Sequence, residues 1–410
     1  MSDLRCVIVG AGHGASELCA SLRSSGWEGP ITVIGDDPLA PYHRPPLSKT
    51  QLDPNTEHAV QLIRPSSFYS DHTIELLTGE RVTRIDRESQ TVHTATHSIP
   101  YDRLVLCTGS THITPPIEGI DHPYCFQLRT AEDAAAVRSQ LAAATRCVVI
   151  GAGFIGLEVA ASLRKQGLDV TVLELAPRVL ARVTSPGIST YFEALHRERG
   201  VAIQTGVSVT AIREIDQHLE VVTATGATFQ GDFVVLGVGA QSDSHLAEAA
   251  GIDVDNGVLV NPFNQTSDPN IYALGDCCRM RSSSLRLESV QNAVDQARTV
   301  AKALVGNPTA HDALPWFWSD QYDVKLQTAG LSAGYDQVVL RGTDTPGHAF
   351  SAWYFREGRF IAVDAVNDSI AYAVAGKLLK GDLHPDPAWI ADPAIETKTL
   401  LKKAKEQAHV

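Results

Sequence analysis

The 410-residue sequence has no apolar run long enough to cross a membrane and no excess of positive charge. Its 34 Lys and Arg residues against 47 Asp and Glu residues give a formal net charge of −13. That charge argues against nucleic acid or an anionic membrane as a partner. The first predicted strand begins at Cys6, which leaves no room for a signal peptide. We therefore expect a cytoplasmic protein.

The seven cysteines include no C-x-x-C pair, and residues 37–52 contain no cysteine. Disulfide reductases built on nucleotide-binding folds need a C-x-x-C or C-x4-C pair, or one reactive cysteine in the loop after the second strand. Cys277 and Cys278 are adjacent, and a vicinal disulfide is strained, so both are interpreted as packing residues. The sequence predicts reduced thiols without a catalytic role, and it predicts no metal site.

A glycine-rich turn follows the apolar run 147–150 and has the pattern G-x-G-x-x-G at Gly151, Gly153 and Gly156. The first glycine allows a sharp turn, the second lets the backbone approach a pyrophosphate, and the third lets the helix pack closely. The helix N-terminus attracts the phosphates. The predicted NAD-binding residues are Gly151, Gly153, Phe154, Ile155, Gly156, Glu158 and Glu174.

Glu174 ends the strand that follows this helix. A carboxylate at this position accepts from a ribose 2′-OH and repels a 2′-phosphate, which predicts NADH rather than NADPH. Arg178 and Arg182 lie just beyond it and are the residues that would favour a phosphate.

An earlier turn follows the apolar run 6–9 and reads G-x-G-x-x-A at Gly10, Gly12 and Ala15. The strand after its helix ends beside Asp36. Two such units imply two nucleotides, or one nucleotide and a partner.

The composition changes at Leu314, where four aromatics fall within residues 315–322 and short strands follow. We predict an α/β protein with two Rossmann-like dinucleotide-binding domains and a C-terminal α+β domain with an antiparallel sheet. The predicted boundaries are 1–112 with 240–313, then 113–239, then 314–410.

Five motifs occur in order along the chain: Pro45-Pro-Leu-Ser-Lys49, Gly156-Leu-Glu158, Thr266 to Gly275-Asp276, Glu288-Ser-Val-Gln-Asn and Pro315-Trp-Phe-Trp-Ser-Asp-Gln-Tyr. Together they resemble the FAD-dependent ferredoxin reductases, of the putidaredoxin reductase type that feeds cytochrome P-450 monooxygenases. The resemblance implies a glutathione-reductase-like fold, FAD on the first nucleotide-binding domain, NADH on the second, and a monomer.

By matched position, the resemblance also implies an FAD contact for eleven residues. Three of them, Gly10, Gly12 and Ala15, form the first turn. The others are Gly14 at the phosphates, Asp36 at the adenosine ribose, Val82 at the adenine, Asp276 at the ribityl chain, Val290 at the O2 side of the ring, Arg129 and Lys49 beside the flavin, and Trp316 on the exit route for electrons.

Lys49 and Glu158 are the predicted catalytic residues. Pro45 and Pro46 stiffen the loop that carries Lys49, and Glu158 lies one turn inside the second nucleotide-binding helix. A buried pair beside flavin N5 would stabilise charge on the reduced ring. The alternative is a salt bridge with only a structural role.

The resemblance implies hydride transfer from NADH to FAD, then two one-electron steps to a 2Fe-2S ferredoxin. The reductase component of a ring-hydroxylating dioxygenase and rubredoxin reductase share this fold and these cofactors, so the acceptor stays open. A more distant alternative is a redox-regulated binding protein similar to apoptosis-inducing factor. We predict Arg64, Arg298 and Lys325 as docking residues for the acidic ferredoxin.

Overall fold

The computed structural model describes residues 3–56 and 59–408. Within these residues the chain forms 25 strands, numbered here in chain order. The strands are β1 (Cys6–Val9), β2 (Ile31–Gly35), β3 (Ile74–Thr78), β4 (Arg84–Asp86), β5 (Thr91–His93), β6 (Ser98–Pro100), β7 (Arg103–Leu106), β8 (Ser110–His112), β9 (Cys125–Phe126), β10 (Arg146–Ile150), β11 (Asp169–Glu174), β12 (Ala202–Thr205), β13 (Val209–Ile215), β14 (His218–Thr223), β15 (Thr228–Gly231), β16 (Phe233–Leu236), β17 (Ala240–Ser242), β18 (Val258–Val260), β19 (Ile271–Ala273), β20 (Cys278–Met280), β21 (Trp316–Gln321), β22 (Val324–Gly330), β23 (Gln337–Gly342), β24 (Phe350–Arg356) and β25 (Arg359–Val366).

The same residues form ten α-helices. The helices are α1 (His13–Ser24), α2 (Ser67–Asp71), α3 (Ala131–Gln140), α4 (Phe154–Lys165), α5 (Pro186–Glu198), α6 (His245–Ala249), α7 (Val290–Leu304), α8 (Ser369–Lys380), α9 (Pro387–Ala391) and α10 (Thr397–Ala408). Short 3-10 turns occupy Pro45–Ser48, Thr50–Leu52 and Gly275–Cys277. No helix in the described part of the chain has the length and apolar character needed to cross a bilayer.

The chain divides into two compact units. The first contains Met1–Arg44, Ala59–His112 and Ala240–Ala313, and the second contains Pro45–His58, Ile113–Gly239 and Leu314–Val410. This division places residues 45–58 and the C-terminal part in one unit with 113–239. The predicted division into three domains stays a prediction.

The first unit is built on a parallel sheet with strand order β19-β7-β1-β2-β3. Its central strand β1 is buried along its whole length, as expected for a parallel strand covered on both faces. Helices α1 and α7 pack together in this unit, with Leu18 and Val300 in one apolar cluster. The strand order reverses at β1, so the crevice at the carboxyl end of β1 is where such a sheet binds its ligand.

The second unit contains a parallel sheet with order β12-β11-β10-β16-β9. It repeats the logic of the first sheet, because β10 is followed by a glycine turn and α4, and β11 returns beside it. The second unit also contains an antiparallel sheet of order β21-β22-β25-β24-β23, with α8 and α10 packed in its core cluster. The predicted fold class is confirmed.

Strand β21 is one of the elements that the sequence pattern did not predict. Its aromatic residues Trp316, Phe317 and Trp318 are all partly buried, and its two fully buried residues are Ser319 and Gln321. A period of two normally shows apolar residues on the buried face. Here the buried positions are polar, so the usual alternation is inverted.

A buried acid links the antiparallel sheet to the start of α5 within the second unit. The Tyr354 hydroxyl donates to Asp364 Oδ2 at 2.5 Å, and the Ser185 N–H donates to the Tyr354 oxygen at 3.1 Å. Burial raises the pKa of Asp364 from 3.8 to about 7, although the hydrogen bond from Tyr354 opposes that shift. The folded chain therefore favours the protonated form of this carboxyl.

We expect Asp364→Asn to stabilise the protein as the pH rises. Because the folded-state pKa is raised, the contribution of Asp364 to stability is fully present below about pH 4 and is lost as the pH rises through about 7. Asparagine keeps an acceptor for Tyr354 but does not ionise. Relative to wild type, the free energy of unfolding of the variant should rise by up to about 4 kcal/mol between about pH 4 and about pH 8. Urea unfolding at the two pH values measures this change.

The matched control is Asp323→Asn, which makes the same charge change at an exposed residue paired with Arg199. Its stability relative to wild type should not follow this pH course. If the free energies of unfolding of Asp364→Asn and wild type differ by the same amount at both pH values, the raised pKa of Asp364 is contradicted.

Candidate functional site

The turn between β1 and α1 requires glycine at its first position. Gly10 has φ of 101°, and a Cβ there would lie 2.2 Å from the Cys107 carbonyl oxygen. Gly12 is the N-cap of α1, and a Cβ there would meet nothing within 4 Å. Ala15 is fully buried. The backbone is thus open to a ligand at Gly12 and closed at Gly10.

Gly14 faces the protein interior. A Cβ at Gly14 would lie 2.3 Å from Leu274 Cδ1, so the absence of a side chain lets α1 approach the end of β19. The contact of Gly14 with the FAD phosphates stays a prediction. The structure shows that Gly14 also has a packing role.

His13 is the first residue of α1, and its Nε2 has no hydrogen-bond partner in the part of the chain that the structure describes. Burial, and then the positive charges of His43 and Arg44, lower the pKa of His13 to about 4. The His13 and His43 ring centroids are 5.4 Å apart. A neutral imidazole and an arginine beside an uncapped helix start are suited to an anionic group such as a diphosphate.

The other predicted FAD residues of the first unit lie at the ends of strands and helices or in its core. Asp36 is exposed and directly follows β2. Val82 is only 5% exposed and packs in an apolar cluster, which leaves its backbone for the adenine contact that the resemblance implies. Val290 is the first residue of α7.

Asp276 lies in the 3-10 turn after β19, and the Ser110 hydroxyl donates to its Oδ2 at 3.3 Å. Arg286, which sequence reasoning missed, donates to the Asp276 carbonyl oxygen at 2.7 Å and forms an ion pair with Glu288. Its side chain is 7% exposed. This buried guanidinium fixes the backbone from which the Asp276 side chain extends.

The turn between β10 and α4 repeats the first one. Gly151 has φ of 104°, and a Cβ there would lie 2.3 Å from the Gly237 carbonyl oxygen. At Gly156 a Cβ would lie 2.0 Å from the Gly151 carbonyl oxygen, and at Gly153 it would meet nothing within 4 Å. In the described residues neither α1 nor α4 has a side-chain cap, whereas α3, α7 and α8 do. The uncapped N–H groups and the open glycines fit a diphosphate at each turn.

Glu174 lies beside the second turn. Its carboxylate accepts from the Ala152 N–H at 2.6 Å and from the Ala176 N–H at 2.7 Å. Each oxygen keeps a further lone pair for a ribose hydroxyl. Arg178 donates to the Ala181 carbonyl oxygen at 2.8 Å and also to Ser189, so its guanidinium is held by its own loop and by α5.

Three apolar side chains near this turn are exposed: Ile155 at 48%, Leu175 at 70% and Val183 at 45%. Only Ile155 was singled out from the sequence. Phe154, the other predicted residue here, stacks on Phe317 with ring centroids 4.7 Å apart.

Lys49 and Glu158 meet inside the second unit. Lys49 Nζ lies 2.6 Å from Glu158 Oε2, and the two side chains are 23% and 4% exposed. The loop that carries Lys49 is anchored to α4, because the Ser162 hydroxyl donates to the Ser48 carbonyl oxygen at 2.7 Å. The structure thus forms the predicted pair, and its role in catalysis stays a prediction.

Two serines complete the surroundings of this carboxylate. The Ser48 hydroxyl donates to Glu158 Oε2 at 2.6 Å and the Ser319 hydroxyl donates to Oε1 at 2.7 Å. The sequence motifs contained both serines but did not indicate that they share an acceptor. Glu158 is therefore an acceptor for three side-chain donors.

The remaining predicted residues are on the surface or at element ends. Arg129 precedes the capping box of α3, which Thr130 and Asp133 form. Trp316 begins β21 and stacks on Trp318 with centroids 5.5 Å apart.

The predicted docking cations all have acidic partners. Arg64 and Arg298 pair with the same Glu17 at 3.1 and 2.8 Å, and Lys325 pairs with Asp320 at 3.8 Å.

All seven cysteines are free thiols. Cys277 and Cys278 are buried, and burial raises the pKa of each thiol. Buried neutral thiols pack as small apolar groups, as the sequence predicted.

Comparison with known proteins matches residues 4–297 to the family described as pyridine nucleotide-disulphide oxidoreductase and residues 316–401 to the one described as reductase C-terminal. Rhodocoxin reductase from Rhodococcus erythropolis is 42% identical over 98% of this chain and 95% of its own length. Putidaredoxin reductase CamA from Pseudomonas putida is 41% identical over 98% of this chain and 97% of its own. The crystal structure of the covalent putidaredoxin reductase–putidaredoxin complex matches with a TM-score of 0.94 and 39% identity, over 99% of this chain and 100% of that one.

Proposed function

The chain belongs to the pyridine nucleotide-disulphide oxidoreductase family, and from this membership we propose that it is the NADH-dependent reductase of a 2Fe-2S ferredoxin that supplies a cytochrome P-450 monooxygenase. The observation that carries the proposal is the Lys49–Glu158 pair, which lies in a chain whose relatives are named as redoxin reductases. Absence of any reactive cysteine pair separates this chain from the disulfide reductases that share the fold.

The two glycine turns fit the two cofactors of this family. Gly12 and Gly153 leave open backbone at uncapped helix starts, and Glu174 supports NADH at the second turn. His13 and Asp276 supply further polar groups in the first unit. When bound, FAD supplies the chemistry that accepts two electrons from NADH together and releases them singly.

Lys49 and Glu158 have a positioning and electrostatic role in this proposal. The Glu158 carboxylate fixes the Lys49 ammonium at 2.6 Å, and the rigid loop 45–48 limits its movement. An ammonium held in this way stabilises negative charge that develops on a reduced flavin ring. The protein thus contributes a fixed charge, and no side chain needs to react covalently.

The identity of the electron acceptor has two specific alternatives. A reductase of a ring-hydroxylating dioxygenase, or a rubredoxin reductase, would use the same residues. Turnover with purified ferredoxins and a rubredoxin decides between them: the proposal expects the highest kcat/KM for a ferredoxin of the P-450 type. A higher value for rubredoxin or for a dioxygenase ferredoxin would overturn it.

A redox-regulated binding protein is distinguished by its behaviour in air. Such a protein keeps a long-lived complex of reduced flavin and NAD, whereas a reductase re-oxidises readily. Fast re-oxidation in air after reduction by one equivalent of NADH is the expected result. We also propose a cytoplasmic location, which seven reduced thiols support.

Replacement of Arg64, Arg298 and Lys325 together by glutamate is expected to slow ferredoxin reduction about tenfold. The reason is that a docking surface for an acidic partner needs local positive charge, and steering by such charge acts mainly on the association rate. Reduction of ferricyanide, a small acceptor, should not be slowed. Both rates are measured in steady state at low ionic strength.

The control carries the same charge change at three exposed arginines that also have acidic partners. It replaces Arg84, Arg213 and Arg359. This control should leave the ferredoxin rate near wild type. Equal slowing by both triple variants would show an effect of net charge alone and would remove the docking assignment.

A further inference from the structure

The Glu158 carboxylate is the end of a hydrogen-bonded chain that extends beyond the Lys49 pair. Ser319 donates to Glu158 Oε1 at 2.7 Å, and Gln321 Nε2 donates to the Ser319 hydroxyl oxygen at 3.2 Å. His196 Nε2 lies 2.9 Å from Gln321 Oε1. His196, Ser319 and Gln321 are all fully buried, so solvent does not replace any of these partners.

The direction of every bond in this hydrogen-bonded series is fixed by the Glu158 carboxylate, which accepts from Ser319 and therefore makes the Ser319 oxygen the acceptor for the Gln321 amide. Burial lowers the pKa of His196 to about 4, so the imidazole is neutral near pH 7 and carries one N–H. Gln321 Oε1 accepts, which requires that N–H on Nε2. The Gln321 amide then presents its N–H to Ser319, and Ser319 keeps its own proton to donate to Glu158. His196 Nδ1 has no partner within residues 3–56 and 59–408.

We propose that Ser319, oriented by Gln321 and His196, is a positioning residue that holds the Glu158 carboxylate in place against Lys49. Oε1 is held by Ser319, which leaves Oε2 to accept from Lys49 and Ser48. The hydrogen bonds from His196 to Glu158 all point in the same direction, so each bond strengthens the next. This inference rests on the proposed function, because Glu158 and Lys49 act on a flavin only in a flavin-dependent reductase.

The test uses the full chain loaded with FAD, mixed anaerobically with NADH in a stopped-flow instrument. Ser319→Ala should lower the limiting rate of flavin reduction about tenfold, while the dissociation constant of NADH stays within about twofold. In a Glu158→Gln background the same substitution should cause no further slowing, because Ser319 then has no carboxylate to position.

The matched control is Ser351→Ala. Ser351 is an equally buried serine of the same sheet, and its hydroxyl donates to the Asp368 carboxylate at 3.3 Å. The control should reduce its flavin at the wild-type rate. Equal slowing by Ser319→Ala in the wild-type and Glu158→Gln backgrounds would show a general structural role and would overturn the inference.

Two variants of Gln321 test the direction of these hydrogen bonds with side chains of similar size. Gln321→Glu still accepts from His196, but its carboxylate competes with Glu158 for the Ser319 proton. Gln321→Met removes both hydrogen bonds and leaves that proton to Glu158. We expect the glutamate variant to reduce its flavin more slowly than the methionine variant, whereas a merely structural role gives the opposite order.

The outcomes distinguish a failure of the proposed function from a failure of the role proposed for Ser319. If NADH does not reduce the flavin of the wild-type protein, the proposed function falls and this inference falls with it. If wild-type flavin is reduced and Ser319→Ala matches it, only the inference is overturned.

Discussion

Replacement of Glu158 by glutamine is expected to slow flavin reduction by NADH roughly 100-fold. The carboxylate lies 2.6 Å from the Lys49 ammonium and also accepts from Ser48 and Ser319. The amide removes the negative charge, and its NH2 group faces a donor where an acceptor is required. Disruption of a buried pair with such surroundings costs about 3 kcal/mol. The rate is measured by anaerobic stopped-flow absorbance of the flavin.

This experiment also decides between a catalytic pair and a plain structural salt bridge. A structural role would lower the midpoint of thermal unfolding and the FAD content, and would leave the reduction rate of the remaining holoenzyme unchanged. The control is Glu193→Gln, which breaks an exposed ion pair with Arg197 on α5. The control variant should be reduced at the wild-type rate. A Glu158→Gln holoenzyme as fast as wild type would refute the catalytic assignment.

The second large effect concerns the choice of coenzyme. Wild-type kcat/KM is expected to favour NADH over NADPH by about 100-fold, since a carboxylate beside the ribose repels a 2′-phosphate and like charges at a protein surface cost a few kcal/mol. Glu174→Gln removes that charge and keeps one acceptor oxygen. It should reduce the preference to about tenfold, chiefly by improving NADPH.

The structure gives this prediction a specific reason. Arg178 is held by Ala181 and Ser189 and is not free to turn toward a 2′-phosphate. Glu198→Gln, an exposed acid at the end of α5, is the charge-matched control and should keep the wild-type ratio. A wild-type kcat/KM for NADPH equal to or above that for NADH would contradict the assignment.

The parts of this molecule that the sequence predicted are those with local or repeated signals. Gly10 and Gly151 occupy backbone conformations that exclude a side chain, and the four residues before each of these glycines are apolar. The Thr130–Asp133 capping box is likewise a local pattern. These features depend on a few neighbouring residues, so a short stretch of sequence is enough to predict them.

The polar network around Glu158 was not predicted, for a physical reason. Ser48, Ser319 and His196 are far apart in sequence, and burial of polar groups is permitted only by partners that the fold brings together. Strand β21 has the same property, because its buried residues are polar and its aromatic residues are only partly buried. Arg286 was missed because its partner is the backbone carbonyl of Asp276, and every residue has such a carbonyl, so the sequence pattern does not indicate the contact.

The most direct measurement of the central claim is anaerobic titration of the purified protein with NADH, followed by addition of oxidised 2Fe-2S ferredoxin. We expect a yellow protein whose flavin absorbance is bleached by one equivalent of NADH and restored as two equivalents of ferredoxin are reduced, since each cluster takes one electron. A colourless protein that takes up no flavin on reconstitution, or a flavin that NADH does not bleach, would contradict it.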